Sequence, residues 1–358
     1  MKSLPPTKRD FGLDTLRAAA ILSVLALHLR DCVPGIPAAL DAVFARGWLG
    51  VDLFFVLSGF LISRQLVSLP NARPGPFWVR RWTRTLPLYF VVLFVYAVIK
   101  PRVFGFPFTG DWRFIFFLQN FGNIPDFVQS WSLCIEEQFY VFFPLFFLAA
   151  GRFARRPVFW LWPLLFSVVA RTLIWRDLGG MPESAGELTA SAYDFRIRFA
   201  TLCHLDGLSV GIFLGVSREF WPERSFSARI LGLFVGAGVL ILAGSALPYA
   251  PRGPSLIYAL SLYAMAGGAL LWALEGWTVT ESRMQAVVER IAVWSYGAYL
   301  WNNLVLRTLA HVWAPREVAH GSAAWVVGAI LFFGLTLGLA AVTFRFVEEP
   351  GLRLRRRL

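Results

Sequence analysis

Long apolar stretches alternate with short polar segments along almost the whole chain, and this alternation determines the predicted architecture. A helix that crosses a bilayer needs about 20 mostly apolar residues. Stretches that approach this length predict about ten transmembrane helices, at 12–30, 48–67, 85–100, 131–150, 157–175, 199–217, 229–248, 255–274, 288–311 and 322–347. The segment 113–121 is aromatic but too short to span, which favours a re-entrant or interfacial position.

The composition supports the same class of protein. Of the 358 residues, 57% are hydrophobic and only 16% are charged, whereas a soluble domain carries about 25% charged residues. The sequence shows no internal repeat and no polar linker. It therefore predicts an all-α, polytopic integral membrane protein, with one membrane domain over residues 1–358 and no soluble domain.

The distribution of positive charge predicts the orientation of the helices. The net charge is +12, but the basic residues lie between the apolar stretches rather than on one soluble face, which argues against nucleic-acid binding. Alternate connections carry the basic excess, in segments 2–9, 73–84, 152–156 and 353–357. The opposite connections are near neutral or acidic, as in 176–198. Because cytoplasmic loops are enriched in Lys and Arg, both termini are expected in the cytoplasm.

The first apolar stretch contains two ionisable residues, Arg17 and His28, whose burial in a membrane is energetically unfavourable. Their separation of eleven residues is about three helical turns, so both lie on one helix face, about 16 Å apart along the axis. Ionisable groups inside a membrane helix usually mark a functional site. Structural alternatives stay open, because Arg17 could extend to the lipid headgroups and His28 could bond to a neighbouring helix.

Helix direction sorts the remaining polar residues by depth. Asp52, Glu136 and Asp206 fall in the outer half of the membrane with His28, which suggests an acid–base layer. The basic residues at 80–84 lie at the cytoplasmic end, where guanidinium groups could bind phosphates. Alternatively, the arginines are only a topology signal, and the carboxylates are structural partners of basic or amide groups. The scattered Cys, His and acidic residues show no metal-ligand spacing, so no metal is expected.

Several motifs in order resemble the membrane acyltransferase-3 family, over about residues 11–350. Arg17 and His28 are similar to its Arg-x10-His helix. The stretch Gly50-Val-Asp52-Leu-Phe-Phe-Val-Leu-Ser58-Gly59 resembles its second signature. Arg81-Trp-Thr-Arg84 resembles its Arg-x-x-Arg stretch, and Trp131-Ser-Leu-Cys-Ile-Glu136-Glu-Gln-Phe-Tyr140 resembles its fourth-helix motif.

Two positions depart from the family pattern. His204 stands where the family often has an arginine, two residues before Asp206. Asn302 replaces a histidine in the stretch Ser295-Tyr296-Gly-Ala-Tyr-Leu-Trp-Asn302. The second change puts a protonatable group at 302 in doubt, although an amide still forms hydrogen bonds.

The resemblance implies transfer of an acyl group, most often acetyl, from cytoplasmic acyl-CoA to a hydroxyl of a saccharide or lipid-linked glycan. It also implies a multi-pass protein of the bacterial inner membrane. His28 would act as general base or transient acyl carrier, with Asp52 or Glu136 fixing its tautomer. The residues expected to hold CoA are Arg17, Arg80, Arg81 and Arg84, and further candidates are Ser58, Asp206, Tyr296 and Asn302.

Two other functions fit parts of the sequence. Ten helices with charges inside the membrane also suit a transporter or permease, although no inverted repeat is detectable. The departures at 204 and 302 suit a non-catalytic component of a cell-envelope complex. Release of free CoA by the purified protein would separate an enzyme from both.

Overall fold

A computed structural model describes residues 9–31, 33–67, 74–105, 107–122, 127–179, 194–221, 224–246, 256–279, 281–312 and 324–355. These residues form helices and turns, with no β-strand among them. The α-helices are α1 Phe11–Leu29, α2 Ala38–Phe44, α3 Leu49–Val67, α4 Pro74–Phe94, α5 Lys100–Phe104, α6 Arg113–Phe116, α7 Ser130–Ala150, α8 Trp162–Asp177, α9 Leu205–Ser217, α10 Phe226–Ala246, α11 Leu256–Leu274, α12 Arg283–Val312, α13 Ala324–Thr343 and α14 Glu349–Arg355. The all-α class predicted from the sequence is confirmed.

Each of the ten predicted segments contains a helix, and in the described part of the chain eight helices are long and apolar enough to cross a membrane. Two segments fall outside this group. The segment 199–217 contains only α9, whose 13 residues are too few to span. The segment 288–311 lies within the 30 residues of α12, whose asparagines and tyrosines reduce its hydropathy. The number of crossings and the cytoplasmic location of both termini stay predictions.

The aromatic segment 113–121 is not a transmembrane helix. It forms the single turn of α6 followed by a short turn at Gln119–Phe121. Phe114 is buried and its carbonyl oxygen accepts a hydrogen bond of 2.8 Å from the Tyr89 hydroxyl. This bond fastens the segment to α4.

Glycines spaced four residues apart on α9 let it pack very closely on α3. A Cβ atom at Gly211 would lie 2.1 Å from the Val56 carbonyl oxygen, and one at Gly215 would lie 2.1 Å from Ser63 Oγ. Conversely, a Cβ at Gly59 of α3 would lie 2.3 Å from the Leu208 carbonyl oxygen. Small residues permit such approaches between membrane helices. The contact fixes α3, which carries two of the candidate site residues.

The last described helix, α14, packs against α4. A Cβ at Gly351 would lie 2.4 Å from the Thr83 carbonyl oxygen, so α14 touches the α4 backbone. This contact buries Glu348 near Arg84, where the two charges interact. The stretch Glu348-Glu-Pro350 is therefore next to Arg84 of α4.

Candidate functional site

Five helices surround a polar cavity inside the bundle: α1, α3, α4, α7 and α12. The cavity encloses about 100 Å³. The charged and hydroxyl-bearing side chains that line it are Arg17, Ser58, Arg81, Arg84, Thr85, Ser132, Glu136, Glu137, Tyr140, Ser295, Tyr296 and Tyr299. Such a concentration of polar groups within apolar helices is the strongest candidate for a functional site.

A chain of hydrogen bonds crosses this cavity from α4 to α7. Arg81 Nη2 donates to the Tyr140 hydroxyl at 2.7 Å, and that hydroxyl donates to Ser58 Oγ at 3.3 Å. Ser58 in turn donates to Glu136 Oε1 at 2.5 Å. The Arg81 guanidinium also lies 4.2 Å from the centre of the Tyr140 ring. The chain connects the Arg81 cation to the Glu136 carboxylate through two hydroxyl groups.

The three arginines of the cavity retain donors for a ligand. Arg17 gives Nη1 to Asp14 at 3.0 Å, and Asp10 caps the start of the same helix through the Leu13 amide. Arg81 Nε is buried without a partner. Arg84 forms no hydrogen bond with any residue that the structure describes, although the Glu348 carboxylate is near it. The cavity can therefore donate several hydrogen bonds to an anion.

The geometry changes one part of the predicted depth order. Glu136 was expected in an outer layer, separate from the arginines at the cytoplasmic end, but it lines the same cavity as Arg81 and Arg84. The reason is that Tyr140, one turn after Glu136 on α7, accepts a hydrogen bond from Arg81 and so links α7 to α4. Arg80 does not line this cavity.

His28 is on α1 beyond the cavity and is not one of its lining residues. Its Nδ1 atom lies 2.8 Å from the Val24 carbonyl oxygen. No hydrogen bond joins His28 to Asp52 or Glu136 among the described residues, and the Val24 carbonyl oxygen, one turn earlier, occupies Nδ1. The charges of Asp31 and Arg198 act on the imidazole.

Asp52 is buried in α3, with 6% of its surface exposed. Its carboxylate accepts no hydrogen bond from the residues that the structure describes. Its electrostatic neighbours are Asp206, Arg171 and Arg198. Asp52 and His28 thus share Arg198 as a charged neighbour, and neither is a lining residue of the cavity.

Asp206 belongs to a separate buried network. Arg171 of α8 binds both its carboxylate oxygens, at 2.6 and 3.0 Å, and donates to Ser261 at 2.9 Å. His204, two residues before Asp206, takes no part in this network: it packs edge-on against Trp131, and its Nδ1 atom is buried without a partner. Arg171 supplies the guanidinium that the sequence lacks at 204.

The motif of α12 contributes to the cavity wall through its tyrosines. Tyr296 donates to the Thr85 carbonyl oxygen at 2.8 Å, and Tyr299 shares a 2.5 Å hydrogen bond with Ser132. Asn302 is fully buried outside the cavity, where its amide donates to the Tyr299 carbonyl oxygen. Its side-chain oxygen has no partner.

Two residues that matter for these networks were missed from the sequence: Arg171 and Arg198. Arg171 carries a signal that could have identified it, because a charge in an apolar span usually marks a buried partner or a site. Tyr140 was named only as the last residue of the fourth-helix motif, without a role. Arg198 was counted only as part of an outer loop.

Comparison with known proteins assigns the family. A family model described as an acyltransferase domain, acyltransferase-3, matches residues 10–345. The chain is 25% identical over 374 residues to the peptidoglycan O-acetyltransferase OatA of Listeria monocytogenes, covering 95% of this chain and 55% of that protein. It is 27% identical over 392 residues to "Putative peptidoglycan O-acetyltransferase YrhL" of Bacillus subtilis, covering 95% and 54%.

The chain thus spans about half the length of the curated relatives it matches. No solved structure matches it. The family match covers nearly the whole chain and agrees with the motifs of α1, α3, α4 and α7. The chain therefore belongs to the acyltransferase-3 family, and eight of its described helices are long and apolar enough to make it a multi-pass membrane protein.

Proposed function

We propose that this protein transfers an acetyl group from cytoplasmic acetyl-CoA to a saccharide hydroxyl on the other face of the bacterial inner membrane. The observation that carries the proposal is the cavity in which three guanidinium groups meet the Ser58–Glu136 pair. A membrane acyltransferase needs a site for an anionic donor inside the bundle, and this cavity offers one.

The cavity would hold the diphosphate of acyl-CoA. Its volume of about 100 Å³ is below the roughly 150 Å³ of a cavity that takes up a benzene molecule, so both the nucleotide and the acyl-pantetheine arm would extend beyond it. Arg17, Arg81 and Arg84 would bind the diphosphate, since guanidinium groups form paired hydrogen bonds to phosphate oxygens. The arm would then extend along α1 toward His28.

His28 is proposed as the general base. Because a carbonyl oxygen can only accept, the neutral imidazole carries its proton on Nδ1 and presents the Nε2 lone pair. Nε2 removes the proton of the acceptor hydroxyl as the hydroxyl oxygen attacks the thioester carbonyl carbon. The carbon–sulfur bond then breaks, and the imidazolium returns the proton to the leaving thiolate. In the covalent alternative, Nε2 itself takes the acyl group first.

The proposed acceptor is a glycan of the cell envelope. Two relatives are named as peptidoglycan O-acetyltransferases, which makes a peptidoglycan hydroxyl the first acceptor to test. Polysaccharide repeat units and lipid-linked sugars offer the same chemistry.

The test uses the full chain in proteoliposomes with acetyl-CoA and soluble glycan fragments. Release of free CoA together with an added acetyl mass on the glycan supports the proposal. Substrate flux without CoA release would instead favour a transporter. Mass spectrometry of envelope glycans from cells with and without the protein identifies the natural acceptor through the acetyl mass that disappears.

A further inference from the structure

A second cluster of arginines surrounds one carboxylate at the ends of α3, α9 and α11. Glu275 follows α11 and is almost fully buried. Its Oε1 accepts from Arg64 at 3.2 Å and from Arg218 at 2.8 Å, and its Oε2 accepts from Arg224 at 2.5 Å. Arg229 donates to the backbone of the same turn. Three guanidinium groups thus share a single side-chain carboxylate, and a fourth binds the backbone beside it.

The members of this cluster play different roles. Arg224 is 5% exposed. Its guanidinium group donates hydrogen bonds to Glu275 and to carbonyl oxygens at the end of α11. Arg229 likewise closes the end of α11. These two arginines have a structural role, since basic side chains satisfy the free carbonyl groups at a helix C-terminus.

Arg64 and Arg218 have donors to spare. Their side chains are 45% and 36% exposed. Each gives one nitrogen to Glu275, and the other two nitrogens of each form no hydrogen bond with the described residues. Because both donate to the same oxygen, the two guanidinium groups are held side by side with their remaining donors open to solvent.

The cluster is at the end of the bundle where α1 begins. The Gly276 amide donates to Asp10, which caps α1, at 2.9 Å. Leu61 of α3 lines the polar cavity, and Arg64 is three residues farther along, about 4.5 Å along the axis. The paired arginines are therefore on the side of the cavity from which a donor bound to Arg17 would enter.

We propose that Arg64 and Arg218 form a second phosphate site, for the 3′-phosphate on the nucleotide of the acyl carrier. The cavity is too small for the nucleotide, so this part of the carrier lies outside, and a preformed pair of guanidinium groups suits a phosphate dianion. An anionic lipid headgroup offers the same phosphate chemistry and is the other source. The assignment to the carrier rests on the proposed function, whereas phosphate binding does not.

The experiment compares the wild type with the double variant Arg64→Gln/Arg218→Gln. The matched control is Arg283→Gln/Arg290→Gln, which removes two exposed arginines of α12. Calorimetry with purified protein measures binding of adenosine 3′,5′-bisphosphate, which requires no turnover. We expect the double variant to bind at least about tenfold more weakly, in line with the loss of one strong charge-assisted contact, and the control to bind as the wild type does.

Two further measurements separate the sources of phosphate. For the carrier, KM for acetyl-CoA rises in the double variant while KM for 3′-dephospho-acetyl-CoA does not. If the ligand is a lipid headgroup, the purified double variant no longer retains phosphatidylglycerol in preference to phosphatidylcholine, and its binding of the nucleotide is unchanged. Unchanged binding of both probes overturns the proposal. If the double variant does not fold, Arg64→Gln alone provides the test, since Arg218 and Arg224 still hold Glu275.

If the bisphosphate binds but no CoA is released, the phosphate site is supported and the proposed donor is refuted. If CoA is released but neither arginine affects binding, the donor is supported and the phosphate site is refuted. The two proposals therefore fail in different measurements.

Discussion

The Nδ1 atom of His28 lies 2.8 Å from the carbonyl oxygen of Val24, one turn earlier in α1. In a serine hydrolase a buried carboxylate holds the histidine in one tautomer. Here the helix backbone provides the acceptor. The orientation of His28 is thus set within its own helix and does not depend on a partner from α3 or α7.

This geometry predicts different outcomes for His28→Gln and Asp52→Asn. Loss of a general base lowers the rate by about 10²–10⁴-fold, so His28→Gln is expected to reduce acetyl transfer by that amount in proteoliposomes. Asp52→Asn leaves the Val24 contact in place and is expected to cost far less. Equal losses in the two variants, measured as CoA release per folded protein, would contradict a tautomer fixed by the backbone.

Local motifs explain how much of the site could be predicted from the sequence. Charges inside apolar helices are conspicuous, so Arg17, Arg80, Arg81 and Arg84 could be grouped from the sequence as candidates for binding the donor. In the structure Arg17, Arg81 and Arg84 line one cavity, while their role stays a prediction. Partner choice was harder, since the Ser58–Glu136 bond joins residues 78 positions apart. Hydrophobic periodicity gives a helix its buried face, but not the neighbour that this face meets.

The close contact of α3 and α9 shows the same limit. Gly207, Gly211 and Gly215 repeat at intervals of four, a pattern that favours tight helix packing, yet the pattern does not say which helix approaches. The contact positions Asp52 beside Asp206, and Arg171 then completes the network from a third helix. A network built from three helices can be identified only once the fold is known.

Tyr140→Phe tests the hydrogen-bond chain across the cavity. The change removes the hydroxyl that joins Arg81 to Ser58 and keeps the ring beneath the guanidinium. A hydrogen bond contributes about 0.5–1.5 kcal/mol, and more with a charged partner, so kcat/KM for acetyl-CoA is expected to fall about three- to thirtyfold. Tyr258→Phe, at an exposed position of α11, is the control and should change nothing.

Arg171→Met is expected to destabilise the protein strongly. It leaves the Asp206 carboxylate buried without its bidentate partner, and breaking a buried pair in this way costs about 3–5 kcal/mol. The double change Arg171→Met/Asp206→Leu removes both charges and should recover much of the loss. The thermal unfolding midpoints of the two variants in detergent measure this recovery. A double variant no more stable than Arg171→Met would contradict the view that the unpaired Asp206 charge causes the destabilisation.

Gly211→Ala tests the α3–α9 contact. The new Cβ would lie 2.1 Å from the Val56 carbonyl oxygen, so the helices must separate, at a cost of about 1–3 kcal/mol. Gly238→Ala is the matched control, because a Cβ there meets nothing within 4 Å, and alanine favours a helix by about 1 kcal/mol over glycine. The thermal midpoint should fall in the first variant and hold or rise in the second.

Glu275 predicts a pH dependence at the arginine cluster, which lies just outside α11. Burial alone would raise the pKa of its carboxyl group, but the hydrogen bonds and charges of Arg218 and Arg224 lower the net pKa below the ordinary 4.5. A group whose pKa is lowered on folding stabilises the folded state above its unfolded pKa. That stability is lost as the pH falls through the lower, folded value. The thermal midpoint of the wild type should therefore exceed that of Glu275→Gln at neutral pH, and the gap should narrow only below about pH 4.5. A gap that stays constant into acid, or that widens, would show that the charge of Glu275 does not hold the cluster together.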